Sequence, residues 1–196
     1  MAPMVGIGFT VHTGWAELVA VAAGEGGPEV VLKRRITLCD EGLPRQCYHA
    51  VAEQGADREV VGLVEASARD LAWMELEDAL GALGAGGMVA VAAAVAQGSV
   101  PVPPLEQVLK SHMMLHHAEG QLYCEALAET AANCGLQVVR FEAKGVYSAL
   151  GEAIGCSADE AMTRVAALGA TAGKPWAKDQ KQAAAAAWLA LASTDD

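Results

Sequence analysis

Three of the five histidines fall within one short stretch, Ser111-His112-Met113-Met114-Leu115-His116-His117-Ala118-Glu119-Gly120-Gln121. His112 and His116 are four apart, which on a helix puts them on one face, and Glu119 follows His116 by three. Two imidazoles and a carboxylate so placed can bind Zn²⁺ or a similar divalent ion. The same groups can act as a general acid and base. The stretch lacks the His-Glu-x-x-His order of zinc proteases, so no known mechanism can be transferred to it. The candidate ligands of a divalent metal are therefore His112, His116 and Glu119. The candidate catalytic residues are the same three with His12 and Asp179.

Each lone histidine also has a plain structural role open to it. His12 suits a polar turn, and His49 suits a hydrogen-bonded packing position. Cys47 stands two residues before His49, a spacing open to a Cys-His nucleophile or to a buried, inert thiol. Gly6-x-Gly8 is followed by more strand, not by a helix, so it is no dinucleotide fingerprint. Ala172-Gly173-Lys174 lacks the rest of a phosphate loop.

These residues need elements to hold them. Val5 to Val11 and Trp15 to Ala23 read as strands joined by a Thr13-Gly14 turn. Gly24 to Pro28 is a second turn, and Glu29 to Cys39 reads as a third strand with a charged, edge-like middle. A short helix is expected over Arg45 to Glu53. Asp57 is placed to cap a long amphipathic helix from Arg58 to about Leu83, broken once. Met88 to Ala96 is a continuous apolar run between helices, as a buried parallel strand should be. Leu105 to Cys134 reads as one helix closed by Gly135, and Leu136 to Phe141 as a short strand. Helices follow over Val146 to Ile154, Ala158 to Leu168 (capped by Ser157) and Asp179 to Ala192, with a linker at Gly169 to Trp176. Fraying is expected from Ser193 to Asp196.

The chain is then one domain over 1–196. It comprises a strand meander (4–39), a helix-strand-helix-strand segment (43–141) and C-terminal helices (144–193). The fold class is α/β, with a five-stranded mixed sheet flanked by helices: three antiparallel strands, then two helix-linked parallel ones. In that order His12, His49 and the loop after the fourth strand share one end of the sheet. Open α/β sheets bind ligands at the carboxyl ends of their strands, so all five histidines can converge on one cleft.

Composition bounds the function. The longest apolar run is about half the roughly 20 residues that span a bilayer, so no membrane partner is expected. The five cysteines form no CxxC pair and read as reduced thiols, which points to the cytoplasm. A net charge of -11 opposes non-specific binding to nucleic acid. Only Lys33-Arg34-Arg35 and Lys174 to Lys181 offer a local basic groove, and solvated surface charge is their plainer reading.

The element order is that of RNase H-like, three-layer proteins, and two stretches carry the resemblance further. Gly6-Ile7-Gly8 with Thr13-Gly14-Trp15-Ala16 resembles the opening of RuvC-type Holliday-junction resolvases. Gly155 to Val165 and Asp179 to Trp188 are similar to their last two helices. The resemblance implies an acid on the first strand, one at the end of the fourth and two on the last helix, together holding Mg²⁺. This chain has Gly8 or Ile7, then Val95-Ala96-Gln97, then Asp179 and Gln182 at those places. One carboxylate cannot hold two metals, so the standard two-metal nuclease activity is expected to be absent. Three readings follow. The first is binding or processing of structured nucleic acid without that site. The second is a hydrolase using the His/Glu cluster, with a metal or by acid-base chemistry. The third is a homodimeric interaction protein whose Ala-rich last helix packs against a second copy.

Overall fold

The Thr13-Gly14 turn does what its residues allow. Gly14 takes φ 83°, a left-handed conformation that favours glycine, and reverses β1 (Met4–His12) into β2 (Trp15–Gly24) with His12 opposite Trp15. This computed structural model describes residues 2–24 and 26–194. Glu25 of the expected second turn, and Asp195 and Asp196 of the expected frayed end, lie outside them. β3 (Gly27–Thr37) pairs antiparallel with β2, while β4 (Val89–Gln97) and β5 (Gln137–Glu142) add on parallel to β1. The sheet order is β3-β2-β1-β4-β5, the order expected.

Two layers of helix cover the sheet, and strand alternation assigns residues to each. Val5, Ile7, Phe9, Leu18, Ala93 and Val95 point into a core with α1 (Cys47–Gln54), α2 (Glu59–Ala85) and α4 (His112–Asn133). Val19, Val21, Ala92 and Ala94 point into a second core with α5 (Val146–Ile154), α6 (Ala158–Ala167) and α8 (Lys178–Ala192). On that second face the middle of β1 presents Gly6 and Gly8. A Cβ at Gly8 would collide with the backbone of Ala183 and Ala187. The helix answers with Ala183 to Ala187, all fully buried, so backbone lies almost on backbone.

Several expected details differ. α2 runs unbroken, because burial of Val64, Ala68, Leu76 and Ala79 outweighs the roughly 1 kcal/mol that each internal glycine costs a helix. The N-cap position falls at Arg58, one residue after the expected Asp57, and makes no side-chain cap bond, while Asp57 accepts from the Glu59 N–H at 3.0 Å. The expected single helix from Leu105 divides into α3 (Leu105–Val108) and α4, since Ser111 is extended (φ -137°, ψ 114°). A short α7 (Gly169–Ala172) occupies the expected linker. Ser157 caps α6 as expected, accepting from the Glu160 N–H at 3.2 Å.

After the exposed Lys178, every side chain of α8 is buried or half-buried within this chain, because the helix packs on the sheet. The basic run on β3 is no groove. The Lys33 ammonium donates to the carbonyls of Ala172, Gly173 and Pro175 at 2.8–3.0 Å. Arg34 is ion-paired to Asp78 on α2, and Arg35 holds the buried Glu17 across the strand pair at 2.6 Å. These cations fasten the fold. Among the described residues, no helix is long and apolar enough to cross a membrane.

Candidate functional site

A cleft of about 610 Å³ opens at the carboxyl ends of β1, β4 and β5. The pairing of β1 with β4 ends at Gly8 and Ala94, and the start of α8 forms one wall of the opening while α4 forms the other. Phe9 to His12 supply the floor, with Gln97 and Gly98 from the end of β4. Lys144 follows β5, Lys178, Asp179 and Gln182 come from α8, and His116, His117 and Gln121 come from α4.

On the α8 wall, the His12 Nε2 lies 3.1 Å from an Asp179 carboxylate oxygen. The Asp179 carbonyl accepts from the Thr10 hydroxyl at 2.8 Å, so the first turn of α8 is tied to β1 at this point. His12 stacks on Trp15 with centroids 4.1 Å apart and planes 10° apart, and the Arg35 guanidinium lies 3.9 Å from the same ring. The indole is thus sandwiched between an imidazole and a cation, and Asp179 fixes the imidazole edge. A histidine oriented by a carboxylate at the lip of a cleft can accept or deliver a proton.

On the α4 wall, His117 donates to the Val100 carbonyl at 2.9 Å, and Gln121 accepts from the Gly98 N–H at 2.7 Å. These bonds hold the loop after β4. His116 turns towards His112, with their Nε2 atoms 3.2 Å apart. His49 on α1 completes a triangle: one ring nitrogen from each of His49, His112 and His116 lies within 4.8 Å of the others. Among the described residues this is the one His/Cys/Asp/Glu set that could hold a metal ion. The set borders the cleft through His116.

Glu119, expected beside His112 and His116, stands instead behind His49. Its Oε1 lies 2.9 Å from His49 Nδ1 and also accepts from the His49 backbone N–H at 3.2 Å. The side chains are 7% and 2% exposed. Glu119 therefore orients His49 and supplies an acceptor to the first turn of α1, which has no cap of its own. Glu53 makes the matching contact to His112 Nδ1 at 3.1 Å.

The five histidines thus divide. His12 and His117 face the cleft from opposite walls, His49 and His112 lie behind it, and His116 belongs to both sets. His49 gave no local sign of its place, because the contact depends on α1 docking against α4. Lys144 gave none either, being a single lysine in a turn. Lys178 lay within the one basic run that reaches the cleft.

Cys47 and Cys124 are poorly placed to act as nucleophiles. Burial and the nearby Glu119 push the Cys47 thiol up to about 12, and burial pushes Cys124, at the cleft floor, up to about 12. The Cys-His nucleophile is thereby set aside. An alkylating agent at about pH 8 is expected to label Cys47 and Cys124 in the folded protein roughly three orders of magnitude more slowly than an unperturbed thiol. Peptide mass spectrometry before and after unfolding checks this, and rapid native labelling of either residue would contradict it.

This architecture is RNase H-like: a mixed five-stranded sheet in the order β3-β2-β1-β4-β5 with helices on both faces. Two solved structures are similar over nearly the whole chain. One is Thermus thermophilus RuvC in complex with a Holliday junction substrate, at TM-score 0.54 and 14% identity, covering 98% of this chain and 95% of that one. The other is the Thermus thermophilus RuvC structure, at TM-score 0.52 and 16% identity, covering 98% and 96%. No protein-family model matches the chain, and no curated protein matches it in sequence. At these identities the likeness is one of fold.

Proposed function

We propose that the cleft at the carboxyl ends of β1, β4 and β5 binds a nucleic-acid strand, with branched DNA as the first candidate, and does so without a two-metal carboxylate centre. The observation that carries this reading is the charge of the cleft. In a chain of net charge -11, its lining holds Lys144 and Lys178 against a single carboxylate, Asp179, which is itself paired with His12. The rest of the polar lining is neutral amide, hydroxyl and imidazole: Gln97, Gln121, Gln182, Thr10, His116 and His117. A local cationic surface inside an acidic protein suits a phosphate backbone and keeps binding local. The RuvC neighbour bound to a Holliday junction supplies the choice of branched DNA. Fold alone does not give function, so the reading stands on the lining.

Packing supports the reading that a two-metal carboxylate centre is absent. Gly8, on the α8 face of β1, is where the first-strand acid of a resolvase would project, and Ile7 points into the opposite core. No side chain fits at Gly8, and the end of β4 offers Gln97.

Binding to a four-way junction is expected to weaken with salt. The variant Lys144→Ala/Lys178→Ala should lower the slope of log K against log salt by about 1.4 to 1.8. Fluorescence anisotropy across a salt series measures this. An unchanged slope, or no binding to junction, single-stranded or duplex substrates at low salt, would sink the reading. A second reading rests on the His12–Asp179 pair, which suits the same cleft to acid-base hydrolysis. Turnover of a phosphodiester that His12→Ala abolishes would favour it.

A further inference from the structure

We propose that His49, His112 and His116 form a Zn²⁺ site at the rim of the cleft, with Glu119 and Glu53 as the carboxylates that orient the ligands. This goes beyond the nucleic-acid reading and does not depend on it.

Three observations point to the ion. The first is spacing. Tetrahedral zinc with Zn–N bonds of about 2.0–2.1 Å sets its nitrogens about 3.3 Å apart. The Nε2 atoms of His112 and His116 already stand 3.2 Å apart. The third imidazole lies within 4.8 Å. A small turn of the two exposed rings, on the surface of α4, brings the three nitrogens onto one centre.

The second is the back of the site. A ligating histidine typically donates its other ring N–H to a carboxylate or carbonyl, which fixes the tautomer and raises basicity. His49 Nδ1 meets Glu119 at 2.9 Å, and His112 Nδ1 meets Glu53 at 3.1 Å. Both contacts leave Nε2 turned inward. A helix face carrying histidines by chance would not have this backing on two different elements.

The third is an imbalance in the buried part. His49 Nε2 is buried without a hydrogen-bond partner, and so is Glu119 Oε2. His49 is the single ion-pair partner of Glu119 among the described residues, and a buried carboxylate needs a full counter-charge. A dication on His49 satisfies the orphan nitrogen and compensates the carboxylate through the ring. Three neutral imidazoles suit zinc better than the hard ions magnesium and calcium, which take oxygen. Three protein ligands also leave a fourth position, here on the solvent side next to His116, for water or for an oxygen of a bound ligand.

The test uses the full chain without a histidine tag, stripped with a chelator and free of nucleic acid. Zn²⁺ is titrated against a competing chelating dye, and Co²⁺ is added separately to read its visible spectrum. One equivalent of Zn²⁺ and the intense bands of tetrahedral Co²⁺ are expected. His112→Ala and His116→Ala change exposed side chains, so both variants should fold, and each should lose the equivalent and the bands. Glu119→Gln should keep the stoichiometry with affinity about 10–100-fold lower. The absence of a stoichiometric site, or one of unchanged affinity in both alanine variants, would overturn the proposal. Because nucleic acid is absent throughout, either result leaves the cleft reading to its own salt-series test.

Discussion

Placing aspartate at Gly8, one of the two positions that the sequence offers for a first-strand acid, is expected to prevent folding, not to create a nuclease. The reason lies in the distance between β1 and α8. A single Cβ at this position already meets the backbone of Ala183 and Ala187, and neither strand nor helix can give locally, since both are central to their layers. Overpacking a core costs about 1–3 kcal/mol when side chains can adjust, and more when backbone must move. Gly8→Ala should therefore cost about 3 kcal/mol or more, a Tm fall of roughly 6–12 °C for a chain of this size. Gly8→Asp adds the desolvation of a carboxylate, several kcal/mol further. The sum rivals the roughly 5–15 kcal/mol that holds a typical domain together. Gly62→Ala is the control. It lies in the first turn of α2 with nothing near its would-be Cβ, so it should stabilise by up to about 1 kcal/mol. Circular dichroism melts of the three variants measure the order. A folded Gly8→Asp protein with a wild-type Tm would show that β1 and α8 are further apart than described.

The same glycine shows how unevenly the molecule could be read from its sequence. The sheet was legible because its signals are local and agree with one another. A Thr13-Gly14 turn between two β-rich runs gives a hairpin, and the wholly apolar Met88 to Ala96 gives a buried strand. Gly8 reads as a missing acid, and only the packing of α8 shows that it is also a spacer. In the site, the helical spacing of His112 and His116 placed them side by side, as the structure has them. Glu119 shares their face by spacing, but it lies a turn further along, where α1 docks on α4, and there it pairs with His49. His49 itself sits on an eight-residue helix whose position is set by contacts with α2 and α4. Spacing within one helix fixes neighbours, whereas a site built across two helices depends on docking that no short stretch records. The basic run on β3 failed for a related reason. Lys33 and Arg35 look like a groove in sequence, yet each is consumed by a carbonyl cluster or a buried carboxylate in its own fold.

Removing His49 is expected to be the second most damaging change, and the way it damages separates two roles. His49→Leu leaves the Glu119 carboxylate buried, with one oxygen already unpartnered and the other deprived of its imidazole. Breaking a buried pair from one side costs about 3–5 kcal/mol, or roughly 6–20 °C in Tm here. His49→Leu/Glu119→Gln should recover most of that loss. The amide is neutral, and its oxygen still accepts from the backbone N–H at position 49, so the first turn of α1 keeps its acceptor. Urea unfolding of the wild type, the single and the double variant gives the three stabilities. If the double variant matches or exceeds the wild type, the His49–Glu119 pair is not retained for stability. A costly buried pair is then explained by what it holds in place, namely an imidazole aimed at His112 and His116. If the double variant is as unstable as the single, the imidazole itself is a packing element and the pair is retained for stability. Zinc titration of the double variant completes the separation, because stability should return while the metal site does not.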